Sequence, residues 1–417
     1  MSIPVGVGML TECTVKGIDV RELVSQLDYF ESIYSPAASC QITINDASGF
    51  HQSAGLKGME DVSFGFGQRE GETIRMKMKA ARIGDRMRVK DNQDMYHLNC
   101  CPQEFVENNQ KSVVKAYKST KISDMVKEWH NDYVKTTNTS KKDLVTNEET
   151  KDQQTYTGVG RSPITAIRWA AKEGFSAKAK ASNYVYYQDR DGYHFRTVDS
   201  MLQGSEIVTL SYAHQNIGQN GGDATKKIIA FDQKGDFNNV DSSFSGADSD
   251  HWYWYDPTTG KIGGGSKRDG AGKTTHTGKD NLTTEQKSER GERFNFVVAP
   301  GQSKSKFRDA RDPKIAENKR TLPEHGADSS AALQLDNLVM NIRVPGDTKY
   351  KAGVKVRLQI PANQEESTLD VRSGTYLITS ARHVIYKDKN DTRYECILEC
   401  KSDSHSKSSS GNSGVAQ

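Results

Sequence analysis

Thr73 to Lys79 alternates without a break: Ile74, Met76 and Met78 fall on one side of an extended chain, Arg75, Lys77 and Lys79 on the other. A period of two is what a strand with one buried face requires. Ala38 to Asp46 alternates in the same way and stops at Ala-Ser-Gly, a turn signal, and Val62 to Gly67 forms another short pleated run. Strand character returns at Ser205–Tyr212, Lys226–Asp232, Leu338–Val344, Val354–Ile360, Gly374–Val384 and Arg393–Cys400. Short strands at this spacing, separated by polar turns, predict antiparallel barrels or sandwiches rather than a parallel α/β sheet. The plainest reading of the Arg75, Lys77, Lys79 face is a solvated one. Lining a channel or meeting a neighbour's acids are its alternatives.

Between these strand-rich regions the period changes. Ile122, Met125, Val126, Trp129 and Tyr133 form one stripe of a helix over 121–134. Lys135 to Thr155 holds almost no apolar residues and reads as an exposed excursion. Ser162-Pro163 opens a second helix, with Ser as cap and Pro at the first helical position, Ile164, Ile167 and Ala171 facing inward, and Gly174 as the stop. Tyr184–Tyr187 and Tyr193–Val198 flank Gln-Asp-Arg-Asp-Gly, a hairpin in which Gly192 supplies a positive φ. Residues 113–203 are therefore expected to be a small mixed α/β unit. The expected divisions are 1–112, 113–203, and 204–240 with 326–404; 241–325 is a basic, loop-rich insertion and 405–417 a Ser-rich tail expected to lack order without a partner.

Composition closes off several classes. Apolar residues make up 34% and charged residues 27%, mean hydropathy is −0.75, and no run of about 18 apolar residues is present to span a membrane as a helix. The first ten residues lack the basic region and apolar stretch of a secretory signal, so none is expected. A net charge of +3 is too balanced to indicate a nucleic-acid binder. The 257–320 segment, with 15 Lys/Arg against 8 Asp/Glu, looks like a solvated or partner-facing loop more than a DNA grip. Six cysteines, Cys13, Cys40, Cys100, Cys101, Cys396 and Cys400, are too sparse for a disulfide scaffold and have no zinc-finger spacing; free buried thiols are expected.

No motif specifies a reaction. Gly270-Ala271-Gly272-Lys273-Thr274 resembles the end of a phosphate loop, but Lys267 stands where that loop needs its first Gly. Glu324 and His325, with the aromatic run, are the candidates for a hydrolase, without any fixed arrangement. His97, His194 and His383 sit in strand patterns, as packed or surface histidines do. His251-Trp252-Tyr253-Trp254-Tyr255 concentrates two of four Trp; a strand anchoring the insertion, or a subunit contact, is favoured over a stacking platform. Trp252, Tyr253 and Trp254, with Ile33 and Tyr34, are the candidate interface residues. No catalytic residue, cofactor or metal is expected.

Two stretches echo one another. Gly58 to Phe64 leads to Tyr96-His97-Leu98-Asn99-Cys100, and Ala352-Gly353 to Leu358 leads to Tyr394-Glu395-Cys396-Ile397-Leu398 after a similar interval. Each is a Gly-led strand, a hairpin, and a closing strand with Tyr and Cys, the layout of a duplicated β unit or of two unrelated antiparallel meanders that look alike. The order of these features, with Leu27 to Pro36 followed by Cys40 to Asp46, Ser162-Pro163-Ile164 and the Tyr184–Val198 hairpin, and finally Ile342 to Asp347, Ala352 to Val356, Ser373 to Ile378 and Arg382-His383-Val384, resembles the baseplate central hub proteins of contractile-tailed, T4-like bacteriophages. The resemblance covers about 300 residues and fails over 241–325. It implies a β-rich α+β chain with two tail-tube-like antiparallel β-barrels, the α/β unit between them and the insertion in the second. It also implies a homotrimer that adapts a six-fold tail tube to a three-fold central spike and leaves a channel for DNA, which passes without specific binding. Implied partners are the spike and tail tube proteins, with tape-measure and wedge proteins as further candidates; implied localisation is the virion baseplate, after synthesis in the host cytoplasm. The hub of a contractile secretion spike and a tail-associated peptidoglycan hydrolase are the alternatives.

Overall fold

In the computed structural model the alternating Thr73–Lys79 run begins an 18-residue strand, with Ile74, Met76 and Met78 buried and Arg75 and Lys77 facing solvent. The structure describes residues 6–90, 92–135, 143–151, 153–158, 160–179, 182–212, 224–236, 251–257, 260–267, 294–298, 338–362, 369–370, 372–388 and 391–403. The architecture is β-rich α+β.

The first strand set is β1 (Gly8–Val15), β2 (Ile18–Asp19), β3 (Val24–Ser32), β4 (Ser39–Asp46), β5 (Asp61–Gln68), β6 (Thr73–Lys90) and β7 (Gln93–Cys101), with the short helices α1 (Phe50–Ser53) and α2 (Gln103–Glu107). Next come β8 (Ala116–Lys121), α3 (Ile122–Trp129), β9 (Leu144–Asn147), β10 (Gln153–Thr157), α4 (Pro163–Glu173), β11 (Tyr184–Asp189), β12 (Gly192–Thr197) and α5 (Val198–Leu202). The last set is β13 (Glu206–Ser211), β14 (Ala230–Asp236), β15 (His251–Asp256), β16 (Lys261–Lys267), β17 (Phe294–Val298), β18 (Leu338–Pro345), β19 (Lys355–Gln359), β20 (Gly374–Asp388) and β21 (Asp391–Ser402).

Thirteen strands from both ends of the chain form one sheet, ordered β14-β18-β21-β20-β3-β4-β7-β6-β5-β1-β2, with β19 on β20 and β13 on β19. Within it a six-strand pattern occurs twice. The order β3-β4-β7-β6-β5-β1 has its counterpart in β14-β18-β21-β20-β19-β13, with the strands in the same chain order. Register repeats too: Cys40 faces Cys100 and Ile42 faces Leu98, as Met340 faces Cys400 and Ile342 faces Leu398. Each long hairpin carries a bulge at the matching point, between Ala80 and Arg82 and between Ile378 and Ser380, and the first shifts register twice more, between Gly84 and Met87 and between Arg88 and Lys90. Met59 N–H donates to the Ala80 carbonyl at 2.7 Å with φ +72°, and Gly353 N–H donates to the Ile378 carbonyl at 2.8 Å with φ +84°. One joint differs, since β1 lies antiparallel to β5 while β13 lies parallel to β19.

The two sets are stitched by β20. Its second half pairs antiparallel with β3 from Ser380 opposite Ser32 to Tyr386 opposite Gln26, and Arg382 bonds Asp28 across the seam at 2.9 Å. The tip of the β20–β21 hairpin also reaches the start of the chain, where Tyr394 N–H donates to the Gly6 carbonyl at 2.8 Å. Tyr29, Phe66, His383 and Tyr394 pack over this joint, so one apolar core runs through both sets. The six cysteines are free, five of them buried and Cys101 half-buried, as a reduced, closely packed interior requires.

The middle unit has its own core around Trp129, Ile167, Tyr193 and Phe195. The 121–134 stripe is seen as α3 running into a π turn over His130–Val134, with Ile122, Met125, Val126 and Trp129 buried. The β11–β12 hairpin forms as expected, with Gly192 at φ +147°. Three local expectations need correction. The polar segment before Thr155 is not simply exposed: β9 pairs parallel with β12 and β10 pairs with β8, because ladder bonds to an existing core do not require apolar side chains. Ser162 precedes α4, but its hydroxyl bonds Thr165 at 2.8 Å; Asn108 Oδ1 accepts instead from Ile164 N–H at 2.8 Å. Gly174 ends α4 in an extended rather than left-handed conformation. Within the insertion, β15 is the central strand of a separate sheet, antiparallel to β16 and parallel to β17.

Candidate functional site

Cys396, His383 and Tyr394 bring a thiol, an imidazole and a phenol together. His383 Nδ1 lies 2.8 Å from the Tyr394 hydroxyl and 3.2 Å from Cys396 Sγ. All three side chains are fully buried. Burial pushes the Cys396 thiol up to about 12 and pulls His383 down to about 3, so both stay neutral and no thiolate–imidazolium pair forms. This trio is a packing element. No group of three or more His, Cys, Asp or Glu able to hold a metal ion occurs among the described residues.

The richest polar constellation lies where the three parts of the chain meet. Glu31, on β3, accepts from Arg190 N–H at 2.8 Å and from Ala352 N–H at 3.3 Å. It therefore touches the β11–β12 turn and the segment leading into β19. Burial, and the nearby charge of Asp189, push its carboxyl up to about 7. Burial acts on Asp189 in the same direction, but the His194 ring at 3.0 Å and the Lys351 ammonium at 3.4 Å outweigh it and hold Asp189 below the usual carboxylate range. Lys351 also pairs with Asp191 at 2.6 Å. Beneath these groups Ile33, Tyr187, Met201, Leu202, Ala352 and Leu377 form a small apolar cluster. Such a network fixes how the middle unit sits on the sheet.

The candidate interface residues do not come together as one site. Ile33 is only 1% exposed and packs inside this cluster, so it presents nothing to another chain. The alternation of β3 carries it inward, whereas Tyr34, just past the strand end, is 50% exposed beneath the Lys401 ammonium, 4.8 Å from its ring. Trp252, Tyr253 and Trp254 lie on β15, with Tyr253 half-buried; the side chains of the two Trp are outside the described residues. So are Glu324, His325 and Gly270–Thr274.

The basic strand extends further than the sequence pattern indicated. Beyond Lys79, which pairs with Asp61 at 2.7 Å, β6 continues through Arg82, Arg86, Arg88 and Lys90, all exposed. Asp94 on β7 takes Arg86 at 2.6 Å and Arg88 at 3.5 Å, and Met87 and Val89 stand beside them 51% and 50% exposed. The result is an extended hairpin that exposes cationic and apolar side chains next to one another.

No family model matches the sequence, and no curated protein matches it. Solved structures share the fold. The tail protein from Neisseria meningitidis MC58 is 12% identical, with a TM-score of 0.56 over 95% of this chain and 97% of that one. The 43 kDa tail protein of prophage MuSo2 from Shewanella oneidensis is 9% identical, with a TM-score of 0.54 over 95% of this chain and 98% of that one. The chain thus has a phage-tail-protein fold along nearly its full length.

Proposed function

We propose that this chain is a structural hub subunit of a phage-tail baseplate, acting by shape and assembly rather than by bond chemistry. Three copies close into a ring whose two strand sets per chain, 1–112 and 204–240 with 326–404, make six similar modules around a channel. One face then suits a six-fold tail tube and the other a three-fold spike, and DNA passes through without sequence-specific contact. Spike and tube proteins are the partners, and the virion baseplate is the location. The observation that carries this reading is the strand order repeated within one chain, register and bulge included, in a fold shared with phage tail proteins. A pair of like modules is what lets a cyclic trimer present six near-equivalent faces.

Negative-stain electron microscopy of the purified chain tests it: rings with six lobes around an open centre are expected. Compact single-chain particles at micromolar concentration would overturn it. Cell-wall zymography checks the non-enzymatic part. An uncleared gel is expected, and a cleared band would assign a hydrolytic role.

A further inference from the structure

We infer that Glu31 is a proton-controlled latch: with its proton it seats the middle unit on the sheet, and on losing it loosens its hold on the β11–β12 turn and on the segment leading into β19. Glu31 lies near the end of β3, 1% exposed, where three parts of the chain meet. Its Oε1 accepts from Arg190 N–H at 2.8 Å and its Oε2 from Ala352 N–H at 3.3 Å. Both donors are neutral backbone groups. Among the described residues no Lys, Arg or His nitrogen comes within ion-pair distance of this carboxyl; the cations of the joint are spent on other acids. A carboxylic acid keeps enough acceptor capacity for such neighbours, whereas a carboxylate here is a buried charge without a partner.

Charge balance gives the proton its leverage. From the β11–β12 hairpin come Asp189, Arg190, Asp191 and His194, and from the segment before β19 comes Lys351. Lys351 lies 3.4 Å from Asp189 and 2.6 Å from Asp191, and Arg190 lies 3.9 Å from Asp191, so two cations already face two acids. An ionised Glu31 adds a further negative charge beside Asp189. Burial and Asp189 therefore outweigh the Arg190 guanidinium and the two N–H bonds, all of which favour the ion, and hold the carboxyl at about 7. The remaining titratable neighbours are Tyr29, on the same face of β3, His383 on β20, and Tyr394 and Cys396 on β21. Burial keeps these four neutral between pH 6 and 8.5. His194 faces Asp189, at 3.0 Å, rather than Glu31. A raised pKa means that the latch holds at lower pH and weakens as pH rises through that value.

Hydrogen exchange read by mass spectrometry on the full chain, corrected for the intrinsic pH dependence of amide exchange, tests the latch. Peptides carrying the Arg190 and Ala352 amides report the joint, and peptides from α3 around Trp129 report the core of the middle unit. A carboxyl at about 7 when seated and about 4.5 when released makes release about tenfold more favourable at pH 8.5 than at pH 6. Protection of the joint peptides should fall about tenfold over that interval while the α3 peptides hold theirs. Glu31→Gln, uncharged at every pH, should abolish the response, and His194→Gln should leave it in place. Thermal unfolding confirms that each variant folds. No change in the unaltered chain, or an equal loss in both sets of peptides, overturns the latch without any variant. So does a full response in Glu31→Gln, or its disappearance in His194→Gln. Every group named belongs to one chain, so a monomer, which would overturn the ring, leaves this inference standing.

Discussion

Gly353 and Met59 occupy equivalent points of the two strand sets, each with a left-handed backbone ahead of a sheet strand. Gly353 has φ +84°, and a Cβ there would lie 2.5 Å from the Tyr187 hydroxyl and 3.3 Å from Met201 Sδ. Both neighbours are about 1% exposed and belong to the cluster that seats the middle unit, so neither can swing away. Gly353→Ala then incurs about 1–2 kcal/mol for the left-handed conformation and about 1–3 kcal/mol for overpacking, roughly 2–5 kcal/mol together. Met59 has φ +72° with a side chain 50% exposed. Met59→Gly relieves the same backbone strain and loses little burial. Set against the greater freedom of glycine in the unfolded chain, the net gain is about 0.5–1 kcal/mol. Urea unfolding at fixed protein concentration reads both. The midpoint falls for Gly353→Ala and rises for Met59→Gly. A near-neutral Gly353→Ala together with a destabilising Met59→Gly would refute the equivalence of the two sites.

A thiol reagent should reach Cys101 and leave the other five cysteines unmodified until the chain unfolds, since all five are buried; fast reaction at Cys396 would contradict the packing. Trp129 is fully buried, edge-on to Tyr117 and Tyr156, so Trp129→Ala should cost about 3–5 kcal/mol by thermal or urea unfolding, and a loss under 1 kcal/mol would show the middle core to be misread. His383 titrates near 3 when folded against an ordinary 6.5, so the unfolded chain takes up the proton first and His383's contribution is lost as pH falls from about 6.5 towards 3. His383→Gln should flatten that part of the stability–pH curve; an unchanged slope would mean that the ring is not buried neutral. Glu31 works with the opposite sign, since its raised pKa makes its own contribution weaken as pH climbs from about 4.5 to 7.

The repeat was legible because it is written in local patterns: the 73–79 alternation, the Gly-led entry to each strand, and the closing Tyr- and Cys-bearing strands. Even so, the true counterpart of Gly353 is Met59 rather than Gly58, since the left-handed position in the first set is filled by a residue that does not advertise it. The Trp129 stripe and the Tyr184–Val198 hairpin were legible for the same local reason. What could not be read depends on distant partners. Glu31 is one acid among many in sequence, and its donors, Arg190 and Ala352, come from two other parts of the chain. The cap on α4 comes from Asn108, and the pairing of β9 with β12 is set by the core already beneath it. Ile33, expected at an interface with Tyr34, instead points into the joint with the middle unit, a placement set by distant partners.

The most direct measurement is the mass of the purified chain in solution by multi-angle light scattering. The expected result is the mass of three 46.3 kDa subunits, unchanged by reducing agent because no disulfide holds them. A particle of one subunit's mass across the micromolar range would contradict the ring, however well the two strand sets match within the chain.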